Sequence, residues 1–529
     1  MASGPGRAVR AVAVGLVALA VVGAGCTDGG GSDGPATSGP AGTAEDAGAL
    51  RLGIGGDLVV DPVEASLASP RDLMVIDLLA DGLTSVDGEG QAVPALAEAW
   101  EANDSHTAFR FRLAPDATFA SGEAITAEQV IASLERVLAA GDTSLAALSL
   151  EALVGFREFV AGEADHISGL TAPGERTVRF ALTGPLAVLP VVLSNPLLSV
   201  VDVDTVEGDL SELDTTGDWA VAEASGGSLT LRRREGRAGS LGEIELRTYD
   251  DEDAAYEAFD GGEVDWAMVP TTRYGDAVND HGDDAFAPFQ AELFFGMNVR
   301  SPALGNGFLR LAVQQAIDRD AIVRAVYPDL ADPLPTVVPA GVAGHDPDRC
   351  PACAHDPEAA EALVDDVFGD DVPTVHIDFD ESDAQEAMAR VIAANLDDVG
   401  IPTELRPLPL DEYKRFVVSG EQELFSFGWI GAYRSPDAYL APLFGSSAND
   451  NLTGFRSAEV DGLLQRARAG ESPERNPERW AKAEAQVLQA AVVVPIAQFR
   501  TQVVVSDRVQ GLQHAVDGTV DWAEVTVSG

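Results

Sequence analysis

The sequence predicts an α/β protein, and three observations carry the prediction. In the second half, an apolar strand at Thr374–Phe379, a helix at Glu386–Val399 and a strand at Thr403–Leu405 follow one another, with Gly400-Ile401-Pro402 breaking the chain before the last. Strand, helix and strand in that order form a βαβ unit, because parallel strands need a crossover that a helix supplies. In the first half, Ala108–Leu113 alternates as a strand, and Thr126 caps a helix whose apolar stripe is Val130, Ile131, Leu134 and Val137. Finally, 529 residues are enough for two or three domains with a large core, and 46% hydrophobic residues with a mean hydropathy near zero suit a globular chain while excluding a multi-span membrane protein.

The elements follow in order. Arg7 and Arg10 precede the apolar run Ala11–Val22, too short to span a bilayer but right for the core of a signal segment. Gly23-Ala24-Gly25-Cys26 resembles a lipobox, so residues 1–25 read as a lipoprotein signal peptide and Cys26 as the lipidated residue; an ordinary secretory signal with an unmodified Cys26 is the alternative. Residues 26–48, rich in Gly, Ser, Pro and Thr, cannot bury a core and form a tether. Folding starts near Ala49, with a strand at Leu50–Ile54, Asp61-Pro62 as a stop and a helix at Leu73–Leu83. An apolar segment at Leu182–Val203, the turn Thr215-Thr216-Gly217-Asp218-Trp219, and strands at Trp219–Ala222, Ser228–Arg232 and Ile244–Arg247 come next. A helix at Ala254–Phe259 leads to Gly262-Glu263-Val264-Asp265-Trp266.

The stretch Leu293–Val326 joins the two halves. Leu293-Phe294-Phe295 to Val299 reads as a buried strand, and Ser301-Pro302 and Gly305-Asn306-Gly307 break it. Phe308, Leu309, Ala312, Val313, Ala316 and Ile317 then recur at helical spacing, and Asp318 offers a cap to a second helix holding Ile322, Val323 and Val326. Helices at Pro357–Val367, Val460–Ala467 and Trp480–Ala490 and a strand at Val492–Ile496 complete the chain.

Taken together, Pro94-x-Leu96-Ala97-x-x-Trp100, Phe119-x-x-Gly122-x-x-Ile125-Thr126-Ala127-x-x-Val130, and Asn298 followed by Arg310-x-Ala312 and Ala316-Ile317-Asp318-Arg319 resemble the family 5 extracellular solute-binding proteins, the peptide- and nickel-binding group of ABC importers. The resemblance covers about Leu50–Gln513. It implies a two-lobed, periplasmic-binding-protein-like α/β fold with the ligand cleft between the lobes. Lobe I would span 49–293 with an inserted subdomain at about 93–214, lobe II 294–494, and 495–529 would return to lobe I, with crossings near Phe294–Asn298 and Val494–Phe499. The expected protein is a monomeric lipoprotein on the outer face of the cell membrane, capturing a peptide or peptide-like solute for an ABC permease. The alternatives are a nickel-chelate or other small polar or anionic solute, or a ligand-sensing surface lipoprotein without an importer.

The chemistry read from the residues is mostly negative. The formal net charge is −52, and only Lys414 and Lys482 are lysines, so the clustered positive charge a nucleic acid requires is missing. No P-loop or HExxH occurs, and the G-x-S-x-G match at Gly30–Gly34 lies in the tether, where no strand or helix could form a nucleophile elbow. No catalytic residue, cofactor or metal site is therefore expected, and no enzyme. Cys350 and Cys353 in an exported chain read as a small disulfide loop, with a zinc site shared with His345 and His355 as the alternative.

The binding site is expected around Trp429 and Tyr433, whose rings offer apolar area at small entropy cost. Arg434 and Asp437 are candidate charged anchors on the same loop, and Trp219 is a further ring; the competing reading of Trp429 is a core side chain. In peptide-binding members an aspartate in W-x-x-D-Y pairs with the peptide's α-ammonium, and here that position is Ala432. Arg434 beside it points instead to an anionic ligand group, which a guanidinium can grip with two hydrogen bonds; the competing reading is a side chain merely solvated on the rim.

Overall fold

Two six-stranded sheets organise the chain, seen in a computed structural model that describes residues 48–140, 150–470 and 477–528. The expected signal peptide, Cys26 and nearly all of the tether lie outside the described residues. The first sheet runs in the order Val503–Val505, Trp266–Met268, Ala49–Gly55, Glu243–Tyr249, Ser228–Arg233 and Trp219–Ser225. Ala49–Gly55 lies parallel to Glu243–Tyr249, pairing Leu50 with Ile244 and Leu52 with Leu246. The period-two pattern puts Leu50, Leu52 and Ile54 into one core with Trp219 and Trp266. The C-terminal segment closes this lobe: Trp266 Nε1 donates to His514 Nε2 at 3.0 Å, and Trp522 Nε1 donates to Asp77 Oδ2 at 3.1 Å.

The second sheet runs Ala331–Pro333, Val493–Arg500, Pro288–Met297, Leu424–Ile430, Val375–Asp380 and Thr403–Leu408. Val375–Asp380 and Thr403–Leu408 are parallel, with the helix Asp383–Asp398 between them, which is the βαβ unit read from the sequence. A four-stranded antiparallel sheet of Ala97–Ala102, Ala108–Leu113, Thr177–Ala181 and Leu170–Gly174 forms a separate layer. The helix Ala127–Ala139 packs on it, started by a capping box in which Thr126 Oγ1 accepts from Gln129 N at 3.2 Å and Gln129 Oε1 accepts from Thr126 N at 2.8 Å.

The sheet registers put the first crossing before the expected Phe294–Asn298 and the second just past the expected Val494–Phe499. The chain leaves the first sheet at Met268 and enters the second at Pro288; it leaves the second at Arg500 and rejoins the first at Val503. Phe294 therefore sits mid-strand, paired with Phe427 on one side and Pro495 on the other. The apolar run at Leu293 marks a strand buried on both faces, and hydropathy does not say which lobe owns such a strand. Its first half is disguised by Pro288, Gln290 and Glu292, although the last two are 1% and 2% exposed.

Motif residues at this junction serve the framework. Asn298 Nδ2 donates to the carbonyls of Gly420 and Gln422 at 3.0 and 2.7 Å, and Arg310 reaches the carbonyls of Ala490 and Ala491 through Nε at 3.2 and 3.1 Å. Asp318 accepts from Ala321 N at 2.9 Å, capping the helix Arg319–Val326 as its position suggests. Arg319, 8% exposed, spends its Nε on the carbonyl of Pro495 at 2.7 Å.

Candidate functional site

The strand Leu424–Ile430 delivers Trp429 to the boundary between the lobes, opposite Glu292 on the neighbouring strand. Gly431 follows because no side chain fits there: a Cβ would lie 2.2 Å from the Tyr439 hydroxyl, whose ring is fully buried. The chain then turns through Ala432–Pro436 into the helix Asp437–Phe444. Trp429 is fixed by its Nε1 donating to the carbonyl of Ala438 at 2.8 Å. The Tyr433 hydroxyl donates to Asp437 Oδ2 at 2.8 Å, and burial pushes that phenol well above its ordinary pKa, so it remains a donor.

Asp437 is 0% exposed and forms a forked pair with Arg468, the last residue of the helix Ala458–Arg468, through Nε–Oδ1 at 2.6 Å and Nη2–Oδ2 at 3.1 Å. Burial alone would depress the Arg468 guanidinium, but the Asp437 carboxylate more than offsets it, and Arg468 stays charged.

A cavity of about 1120 Å³ opens beside this loop. One wall is Glu151–Glu158 and Thr183–Leu186, flanking the four-stranded sheet; the other is Trp429, Ala432, Tyr433 and residues of the two helices just described, with Asp450 between them. The walls touch at its edge, where Ala187 N donates to the carbonyl of Arg468 at 2.8 Å and Asn195 Nδ2 donates to the carbonyl of Ala432. Asp450 is 7% exposed, and burial raises its carboxyl to about 6, with Glu151 adding repulsion.

The structure thus sorts the expected residues. Trp429 and Tyr433 line the cavity. Asp437 stands directly behind it, but its carboxylate is taken by Arg468 and Tyr433, so it is a support for the wall rather than a ligand anchor. Arg434 is not part of the lining; its guanidinium turns to the Thr84–Pro94 hairpin and donates to the carbonyls of Asp87 and Gly88 at 3.4 and 3.1 Å. The expected grip on an anionic group through Arg434 is therefore corrected, because those donors face backbone across the lobe boundary. Trp219 is 1% exposed in the core of the first sheet, with the Arg233 guanidinium 4.3 Å above its ring, and does not reach the cavity. Cys350 and Cys353 are bonded to one another and lie away from the cavity.

Sequence reasoning missed Asp450 and Arg468. Asp450 sits in the polar run Ser446-Ser447-Ala448-Asn449-Asp450-Asn451, which reads as a solvated loop, and Arg468 reads as a cation favourably placed at a helix C-terminus. Among the described residues no group of three or more His, Cys, Asp or Glu side chains could hold a metal, and no helix is long and apolar enough to cross a membrane.

Two α/β lobes crossed twice by the chain, with a cavity at their boundary, define the architecture of a two-lobed binding protein. Residues 91–451 match the family model described as bacterial extracellular solute-binding proteins, family 5 Middle, and the chain belongs to that family. It is similar to the probable di/tripeptide-binding protein 5 of Pseudomonas aeruginosa (strain UCBPP-PA14), 24% identical over 485 residues covering 85% of this chain and 90% of the relative. The dipeptide-binding protein DppE of Bacillus subtilis (strain 168) is 22% identical over 481 residues, covering 84% and 86%. Among solved structures, the unliganded open form of the periplasmic murein tripeptide binding protein MppA superposes with a TM-score of 0.80 at 19% identity, over 92% of this chain and 98% of that one. OppA of Haemophilus influenzae in complex with RPPGFSPFR gives 0.63 at 17% identity, over 91% and 99%. The family and fold are those of extracytoplasmic substrate-binding proteins rather than of enzymes.

Proposed function

We propose that the protein is an extracytoplasmic lipoprotein, anchored through Cys26, that captures a peptide or peptide-like solute between its lobes and delivers it to an ABC import permease. The observation that carries this reading is the cavity at the lobe boundary, lined by Trp429 and Tyr433, which are held in place by their own polar atoms and, at 5% and 6% exposed, also pack into the core. Its volume of about 1120 Å³ is slightly above that of ordinary small-molecule sites, roughly 300–1,000 Å³, which suits a solute of several residues. The Pseudomonas relative, a probable di/tripeptide-binding protein, and the Bacillus dipeptide-binding protein support the same class.

Calorimetry on delipidated protein with di- to pentapeptides tests the ligand class, alongside mass spectrometry of whatever co-purifies. Micromolar or tighter binding that Trp429→Ala weakens at least about tenfold is expected, since truncating a buried aromatic contact costs more than ~1.4 kcal/mol. Peptides that fail to bind at millimolar concentration would refute the peptide reading. The anchor is tested by fractionation: Cys26→Ala should move the protein from the membrane to the soluble exported fraction. Parent protein already soluble after export would refute it.

A further inference from the structure

We propose that the cavity recognises its solute through a cationic group, an ammonium or guanidinium, which pairs with the carboxylate of Asp450. The inference rests on the peptide-like reading of the cavity and narrows it to solutes bearing a positive charge.

Asp450 is a built feature of the wall. It is 7% exposed and lines the cavity, yet no hydrogen bond or ion pair reaches its carboxylate among the described residues, while its own main chain is tied down by Leu452 N donating to its carbonyl at 2.8 Å. A buried carboxylate without a partner is costly, and among the described residues no group relieves that cost. The neighbouring charges do not relieve it either. The charged side chains lining the cavity are Glu151, Arg157, Glu158, Asp450, Asp461 and Arg468. Arg468 is already neutralised by Asp437, and Asp461 is occupied by Ser446 N, donating at 2.9 Å. Glu151 is close enough to Asp450 to repel it. Arg157 is exposed on the facing wall. The cavity therefore carries an excess of negative charge focused on one desolvated carboxylate, and the complementary occupant is a cation that brings its own hydrogen-bond donors. Ala432, also on the wall, offers no charge, and Arg434 is turned away from it, so Asp450 is the buried ionisable group left for the ligand.

The pairing makes recognition depend on pH in a defined direction. Binding needs the ionised carboxylate, whose pKa is raised to about 6 by burial and by Glu151. Affinity for a free peptide should be greatest between about pH 6 and the α-ammonium's own pKa of about 8, and fall by up to about tenfold per unit below pH 6.

The test is calorimetry on the parent protein and on Asp450→Asn, a near-isosteric change that removes the charge and turns one acceptor oxygen into an amide donor. The probes are free tri- and tetrapeptides, their N-acetylated forms, phenethylamine and 3-phenylpropionate. Free peptides should bind at least about tenfold more tightly than blocked ones in the parent, and Asp450→Asn should erase that difference, as expected for loss of one charge-assisted pair. Phenethylamine should bind the parent and be lost in Asp450→Asn, and phenylpropionate should bind neither. Equal affinity for free and acetylated peptides, or a preference that survives Asp450→Asn, would overturn the inference and leave the peptide reading standing. If no peptide binds, the peptide reading fails, and the amine against the acid decides the cation site alone. A variant that unfolds is excluded by its melting temperature, and the pH profile of the parent then decides: an affinity that does not fall below pH 6 would overturn the assignment.

Discussion

Replacing Arg468 by Met keeps the length of the stem and deletes the charge, which isolates what the guanidinium does for Asp437. That carboxylate is 0% exposed and accepts from Arg468 Nε at 2.6 Å, Arg468 Nη2 at 3.1 Å and the Tyr433 hydroxyl at 2.8 Å. Removing one partner of a buried pair costs about 3–5 kcal/mol, because a charge is left behind without compensation. Two features lower the figure here: the Tyr433 hydroxyl remains, and the Arg468 side chain is 36% exposed, so solvent already screens part of the attraction. About 3 kcal/mol is the expected loss for Arg468→Met. Asp437→Asn should cost less, about 1–2 kcal/mol, since it strands a guanidinium that can reach water. The double variant should resemble Asp437→Asn alone, giving a coupling of at least ~2 kcal/mol. A two-lobed chain need not unfold in one step, so hydrogen exchange of the amides in Asp437–Phe444 is a better assay than a global melting curve. Protection in Arg468→Met within about 0.5 kcal/mol of the parent, or strict additivity in the double variant, would show that the pair does not hold the cavity wall and would refute the argument.

Two further outcomes follow from buried ionisable groups. Glu292 has both carboxylate oxygens buried without a partner among the described residues, and burial with repulsion from Glu484 pushes its pKa well above the ordinary value, so the folded protein holds a proton that the unfolded chain releases. Stability contributed by this group is therefore lost as pH rises above the unfolded carboxyl value, and Glu292→Gln should stabilise the protein by an amount that grows from acid to neutral pH, measured by urea unfolding at pH 5, 7 and 8; a gain that does not change with pH would contradict the assignment. His514 runs the other way: it accepts from Trp266 Nε1 and burial lowers its pKa to about 4, so the unfolded chain binds the extra proton between about 4 and 6.5. The parent should lose roughly 3 kcal/mol more than His514→Gln as pH falls across that window, and parallel pH profiles for the two proteins would rule this out.

Much of the fold was legible because its elements obey local rules. Ala108–Leu113 and Pro357–Val367 carry undiluted periods of two and 3.6, and both form over those residues. The central strand was found from Leu293, but its start was not, since the polar residues Gln290 and Glu292 are buried by tertiary packing that no local pattern announces. At the site, Trp429 and Tyr433 were visible as rings in a short loop. What Asp437 does was hidden, because its partner lies 31 residues away on another helix. Arg434 was read as a ligand anchor from its place beside the rings, but a side chain's direction depends on what lies across the boundary, in this case backbone carbonyls 346 and 347 residues earlier. Asp450 was missed for the opposite reason: in sequence it is one polar residue among several, and only the packing around it makes it buried.

The unequal way in which the two large sheets draw on the chain sets an order of assembly. Every strand of the second sheet lies between Pro288 and Arg500, so that lobe can form from one unbroken stretch. The first sheet places Ala49–Gly55 beside Trp266–Met268 and closes that edge with Val503–Val505, and the Trp522–Asp77 bond spans 445 residues. As the chain emerges from its N-terminus, the lobe encoded later is the first that can be completed, and the lobe encoded first waits for the last residues made. Its exposed edge at Trp266–Met268 is the interval's point of risk, a row of unpaired backbone groups open to a second chain until Val503–Val505 arrives.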